Sequence, residues 1–426
     1  MTNDTLATEI VRPGDEGYER LSRTFAKEGA PARIVRPRSA AGVAEAVGHA
    51  AREGLVLSVR SGGHSAPGYG TNDGGVVIDL AHLDGVEVLG GDLVRIGAGA
   101  RWGEVAKALA PHGLAISSGD TDSVGVGGLM VGGGIGWLVR KYGLALDHLV
   151  EAEVVTAAGE VLRASAEENA DLFWAIRGGG GEFGVVTSFL VRARRETTVT
   201  FARVGYPADD AATLIKAWRD VVRAAGEELT SSAHMYPAFG EDAPPAIMIL
   251  AVYAGDDPSV IEPLTRLGES TFQDISTVPY AEVLESAELP PGWRPMVRNR
   301  FVPVLTDELI DAWVSPEVPM MFREIRAIGG AMGRGEDTAF AHRDSEAMLL
   351  GVLLGAPDDH PARLPAYDAL WEAVEPYVSG AYANFFSDPR PTDVAAVYPP
   401  VTRTRLESIK RAYDPTGVFS QNLAHF

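Results

Sequence analysis

The sequence predicts an α+β protein, and two patterns carry that reading. Up to about Arg195, helical and strand segments alternate and are punctuated by glycine-rich runs. From there to about Gly380 glycines thin out, and strand candidates follow one another with helices between them, as in an antiparallel sheet flanked by helices. A chain of 426 residues has room for roughly two to three domains, each with its own core.

In chain order, residues 1–35 read as an irregular lead ending in a strand at Ala32 to Val35. Ser39 is placed to cap a helix over Ala40 to Glu53, with Val43 and Val47 one turn apart and Gly54 as its stop. Leu55 to Val59, Val76 to Leu80 and Val94 to Ala100 are strand candidates, and Trp102 to Ala110 is a helix halted by Pro111 and Gly113. Leu149 to Ala157 and Val161 to Ala164 form a hairpin about Gly159. A short helix at Asp171 to Arg177 leads to the strand Val185 to Val191. The later half offers strands at Thr200 to Tyr206, Ser232 to Phe239, Ala246 to Tyr253, Ile325 to Met332 and Ala347 to Leu354. Helices are expected there at Ala211 to Ala224, Ser259 to Leu267, Thr306 to Val314 and Ala366 to Tyr377. The tail carries Tyr382-Ala383-Asn384-Phe385-Phe386 and a helix from Arg405 to Tyr413.

Three glycine runs stand out. Arg60-Ser61-Gly62-Gly63-His64-Ser65 begins where a strand ends; bare amides at Gly62 and Gly63 can close on an anionic oxygen, with His64 set on that cradle. Residues 119–136 hold eight glycines in eighteen residues, interleaved with Val and Leu. A flexible linker would be polar, so this is an ordered, buried loop whose backbone approaches a ligand or another segment closely. Gly179, Gly181 and Gly184 satisfy GxGxxG, but a dinucleotide fingerprint needs a strand before it and a helix after it. Here the order is helix then strand, which excludes a nicotinamide site.

Composition narrows the classes further. The net charge of −21, from 58 acids against 37 bases, repels phosphate backbones and anionic membranes, so no nucleic-acid or membrane partner is expected. Without cysteine there is no disulfide and no thiolate nucleophile or metal ligand; no metal site is expected. HExxH, GxSxG and a P-loop are absent. The first twenty residues have neither a basic nor an apolar leader segment, which makes a cytoplasmic protein the expectation.

Taken together, RSGGHSAPGYG (60–70), SVGVGGLMVGGGIGWLVRKYGLALDHL (123–149) with FWAIRGGGGEFGVVTSF (173–189), and YANFF (382–386) with RLESIKRAYDPTGVFSQN (405–422) resemble the flavin-dependent oxidoreductases of the vanillyl-alcohol-oxidase superfamily. The likeness is to the bacterial members similar to berberine bridge enzyme, and it runs over the first half and the last forty-odd residues. It implies a two-lobed PCMH-type FAD-binding domain over 1–195, a substrate domain over 196–380 and a segment 381–426 returning to the first. It implies FAD bound by Arg60, Ser61, Gly62, Gly63, Ser65, Thr121, Ser123, Gly125, Gly128, Gly132 and Gly134, with Val186, Asn384 and Asn422 near it. His64 matches the histidine joined to the flavin 8α-methyl, and a neutral imidazole nitrogen is a suitable nucleophile for that bond.

Two departures matter. Many relatives make a second flavin link through a cysteine where this chain has Thr121, so one covalent bond is the most expected here. Many place a catalytic tyrosine after the Asn of the tail motif; here it is Phe385, which cannot accept a proton. Tyr382, Tyr142, Tyr236 and His342 are the candidate bases, Tyr382 first because it shares the motif that lines the flavin. The resemblance implies transfer of a hydride from an alcohol, amine or similar C–H centre of a small molecule, such as a secondary metabolite, with reoxidation by oxygen. The rival is a monooxygenase or cyclase that uses FAD as a scaffold, and a non-enzymatic binding protein would leave three glycine sites unexplained.

Overall fold

The computed structural model describes residues 8–426 apart from 241, 287–289, 316 and 425. Its first sheet has the order Glu9–Val11, Arg33–Arg36, Val76–Asp79, Leu57–Arg60. The last three strands are parallel, and the helix Ala40–Glu53 makes the crossover between Arg33–Arg36 and Leu57–Arg60. Local chemistry defines that helix at both ends. Gly42 N–H donates to Ser39 Oγ at 3.2 Å, and Gly54 closes the other end at φ 62°. Val43, Val47 and Ala50 on its inner face are fully buried. The loop carrying His64 leaves the carboxyl end of Leu57–Arg60, where a parallel sheet presents its loops.

The second sheet is antiparallel and has five strands, in the order Val86–Gly90, Leu93–Gly97, Val185–Arg192, Leu149–Val155, Val161–Ser165. It shares one apolar core with the first sheet, and that core also takes Val397, Leu406, Ile409 and Phe419 from the tail. Lys410 Nζ anchors the tail by donating to the carbonyls of Glu182 and Phe419 and pairing with Asp414 at 2.8 Å.

Residues 198–353 supply a seven-stranded antiparallel sheet. Its order is Phe272–Pro279, Thr198–Pro207, Ala246–Tyr253, Leu229–Tyr236, Met321–Ala327, Ala347–Leu353, Met296–Val302. The helices Ala211–Ala224, Asp307–Val314 and Leu364–Val374 cover one face, burying Trp218, Trp313, Tyr367 and Trp371. The other face packs on the first half: Phe201, Leu250 and Val252 join the N-terminal core, while Phe301 and Met348 meet Ile135, Leu144 and Tyr382. Among the described residues no helix is long and apolar enough to cross a membrane.

Several elements differ from the sequence reading. The lead, of which the first seven residues lie outside the described residues, is not irregular throughout. It contains the strand Glu9–Val11, pinned to Arg33–Arg36 by an Arg36–Glu9 ion pair at 2.7 Å, and a short helix Tyr18–Ser22. The stretch 119–136 is not a loop throughout, because Val126–Gly132 is an α-helix. Burial of Val126, Leu129 and Met130 offsets the low helix propensity of its glycines. The expected helix at 259–267 is a 3-10 segment, Pro258–Thr265, since Pro263 removes a helical N–H. The strand read as 325–332 runs Met321–Ala327 and stops before Gly329 and Gly330, which take left-handed φ values of 90° and 57°. Val86–Gly90, Phe272–Pro279 and Met296–Val302 were not anticipated; Phe272–Pro279 is a largely exposed edge strand without an apolar run.

Candidate active site

Two of the glycine runs meet at a backbone seam. A Cβ on Gly125 would stand 2.0 Å from the Gly62 nitrogen, and one on Gly62 would stand 2.3 Å from the Gly125 nitrogen, so neither position has room for a side chain. Ser61 stitches the seam: its Oγ donates to Ala98 O at 2.6 Å and accepts from Gly127 N–H at 3.1 Å. Arg60 is buried, and its guanidinium is committed to Asp79 at 3.0 Å and to the carbonyls of Leu21 and Arg23. Ser65 closes the next turn, its carbonyl accepting from Gly68 N–H at 2.9 Å.

His64 stands beside the seam with its ring stacked on Phe25, centroids 4.9 Å apart and planes 17° from parallel. Burial pushes its pKa down, the nearby Arg101 adds to that, and Asp122 opposes both. The imidazole is therefore kept neutral and nucleophilic. Around it, Ser123 Oγ and Asp122 Oδ1 are buried side-chain oxygens with no hydrogen-bond partner, and a Cβ on Gly128 would meet open space. A neutral imidazole, unsatisfied oxygens and a free backbone face along one seam fit a flavin nucleotide. Thr121, in the same loop, donates to Asp120 Oδ1 at 3.0 Å and bridges to Glu285 of the opposite half.

Other glycines of the second run are occupied by protein. A Cβ on Gly132 would meet the Asn384 amide at 2.4 Å, and one on Gly134 would meet Ala145 at 2.4 Å. Tyr382 is buried beside them, and its Oη accepts from Gly134 N–H at 2.8 Å and from Asn384 Nδ2 at 3.0 Å. Burial pushes its pKa up to about 12, against the lowering influence of those two bonds. Asn299, on the sheet, pins the motif by donating to the carbonyls of Tyr382 and Phe385 and accepting from Tyr382 N–H. Val186 is buried in its strand opposite Val154, and Asn422 lies against Gly181. Of the remaining candidate bases, His342 faces the carbonyls of Ala396 and Val397, Tyr142 donates to Glu196, and Tyr236 is 39% exposed on the sheet.

The sheet supplies a group of side chains of which the sequence reading named only Tyr236 as a candidate base. Ser232, His234 and Tyr236 alternate along one strand, and Phe322, Glu324 and Arg326 along its neighbour, so all six share the face turned toward the first half; His234 is in register with Glu324. His234 Nε2 lies 2.9 Å from Ser232 Oγ and 3.7 Å from Glu324 Oε1. Arg326 donates to Glu324 at 2.6 Å, to Asp120 Oδ2 in the second glycine run and to Ile135 O, and it lies over the Phe385 ring. Burial pushes Glu324 up, but Arg326 and then His234 outweigh it and hold the carboxylate below its usual range. Opposite charges at Glu324 and Arg326, two residues apart on one face of the strand Met321–Ala327, are a readable signal. The expected strand began at Ile325, too late to include Glu324 on its inner face.

A family model for the FAD binding domain matches residues 31–165. The chain is 31% identical to (R)-6-hydroxynicotine oxidase of Paenarthrobacter nicotinovorans, over 98% of this chain and 96% of that protein. The solved structure of 6-hydroxy-D-nicotine oxidase from Arthrobacter nicotinovorans superposes with a TM-score of 0.89 at 29% identity, covering 99% and 98% of the two chains. A Physcomitrella patens BBE-like 1 variant shares the fold at a TM-score of 0.87 and 24% identity, over 97% and 95%. With the seam, the histidine and the tail motif in place, the chain belongs to the FAD-dependent oxidoreductases of the vanillyl-alcohol-oxidase superfamily.

Proposed function

We propose that this flavoprotein is an oxidase that removes a hydride from an alcohol, amine or similar C–H centre of a small molecule and passes the electrons to oxygen. FAD, held by a single bond to His64, supplies the two-electron acceptor. The 1–195 segment holds the cofactor, 196–380 presents the donor to it, and 381–426 braces the cofactor side. The supporting observation is the ionised, buried Glu324 beside His234, on a sheet face tied by Arg326 to the flavin-side loop at Asp120.

In this reading His234 takes up the donor's proton, and the ionised Glu324 beside it orients the imidazole and stabilises the imidazolium that forms. Tyr236, Phe322 and Phe385 form aromatic walls that exclude water and orient the donor. Tyr382 holds Gly134 and Asn384 in place, since a hydroxyl accepting two bonds with a raised pKa is a poor proton acceptor near neutral pH. Anaerobic mixing with a panel of alcohols and amines should bleach the flavin, and aerobic turnover should consume oxygen with no added nicotinamide.

Phe385 favours a second reading, in which FAD acts as a scaffold or oxygenating agent without net hydride transfer. Product formed anaerobically without bleaching, or with strict dependence on oxygen incorporation, would replace the oxidase reading with this one.

A further inference from the structure

We infer that Phe25 is a positioning residue for attachment of the flavin to His64, an inference that rests on the covalent reading above. The His64 ring nitrogens have no hydrogen-bond partner among the described residues, and its ring contact is the near-parallel stack on Phe25. A face-to-face ring pair restricts rotation of the imidazole about χ2 while leaving both nitrogens free at the ring edge. A hydrogen bond would fix the ring too, but at the cost of occupying a nitrogen that must form the new bond.

The fold holds Phe25 in place from several directions. Its N–H donates to Gly63 O at 3.0 Å, one residue from His64. Thr24 and Lys27 close a tight turn around it, with Thr24 N–H donating to Lys27 O at 2.8 Å and Lys27 N–H to Thr24 Oγ1 at 3.1 Å. That turn lies on the glycine loop itself: a Cβ on Gly68, where φ is +79°, would collide with the Lys27 side chain at 2.5 Å. Arg60 grips the approach to the turn through the carbonyls of Leu21 and Arg23, and Arg294 of the opposite half donates to Ala26 O at 2.5 Å. Part of the glycine motif, with its arginine, therefore serves to seat the segment that carries Phe25.

In the attachment step a C–N bond forms between a His64 nitrogen and the 8α-carbon. One methyl C–H and the imidazole N–H are lost as protons, two electrons remain on the flavin, and oxygen, the acceptor of the proposed reaction, removes them as hydrogen peroxide.

The test follows acid-stable flavin over time in protein incubated with excess FAD in air, alongside flavin affinity, the mass of the peptide spanning His64, and thermal unfolding. Wild type, Phe25→Leu, Phe25→Tyr and His64→Ala are compared. Phe25→Leu, which keeps apolar bulk without a ring face, is expected to bind FAD as wild type does but to attach it roughly 3- to 10-fold more slowly, the range that loss of one aromatic pair spans; Phe25→Tyr should restore the rate. Attachment by Phe25→Leu at the wild-type rate, or a Phe25→Tyr variant as slow as Phe25→Leu at equal FAD affinity, overturns the role of Phe25 and leaves the covalent link intact. If wild type itself holds no acid-stable flavin, the link to His64 is wrong and the role of Phe25 falls with it.

Discussion

Gly62 and Gly125, sixty-three positions apart, meet backbone to backbone, and no side chain fits at either one. Gly125→Ala would force the two loops apart; overpacking of this kind costs about 1–3 kcal/mol. The variant should melt several degrees lower and purify with depleted flavin. Gly128→Ala, which meets open space in the protein, should keep its melting temperature and lose flavin alone. Equal thermal unfolding of Gly125→Ala and wild type would contradict the seam.

Replacing Glu324 tests the proton-handling pair. Glu324→Gln should slow anaerobic flavin reduction by about 100-fold or more, and Glu324→Leu, which leaves the Arg326 charge half-paired, should destabilise the fold by about 3–5 kcal/mol. Because Arg326 and His234 hold the carboxylate below its ordinary value of 4.5, the stability it contributes is present above that value. It is lost only as pH falls through the lower folded pKa. The acid limb of unfolding should therefore move up in pH when Arg326 is replaced by Gln.

For Tyr382 the expectation is a structural effect. With its pKa at about 12 and both accepted bonds lost, Tyr382→Phe leaves the Gly134 N–H unpaired, at a cost of about 1–3 kcal/mol. Flavin reduction should then fall by less than about 10-fold. A loss of about 100- to 10,000-fold with a matching alkaline ionisation in the wild type would identify the phenol as the base.

Acid sensitivity should have a second, local source in His148, which is 2% exposed. Burial, and then the charge of Arg194, lower its pKa from 6.5 to about 4. A histidine depressed in the fold contributes stability that is intact above pH 6.5 and is lost as pH falls from there toward 4, on the order of 3 kcal/mol in total. His148→Leu should flatten the dependence of melting temperature on pH across that window. An unchanged slope would mean that another group sets it.

What could be read from residues in a row was chemistry that acts over a few positions. Ser39 and Gly54 mark the ends of the helix Ala40–Glu53 because a side-chain cap and a left-handed stop are local devices. The order of helix, GxGxxG and strand at 170–192 excluded a nicotinamide fingerprint for the same reason. The glycine runs at Gly62 and Gly125 announced a close approach, and the tail motif and His64 sat in recognisable text. By itself, then, the sequence determined the α+β class, the flavin-binding motifs and the absence of any thiol chemistry.

The tertiary structure alone decided which segments those glycines approach and which side chains share the site. Gly132 and Gly134 turned out to seat Asn384 and Ala145, Arg60 faces inward to the carbonyls of Leu21 and Arg23, and Phe25 reached His64 from a lead that carries no motif. Glu324 and His234 became neighbours through strand register, and Arg326 joined them to Asp120 over a separation of two hundred and six residues. Turns and caps are set by the torsional and hydrogen-bonding preferences of adjacent residues. Contacts across such distances depend instead on how whole sheets bury their faces against one another, which no local pattern encodes.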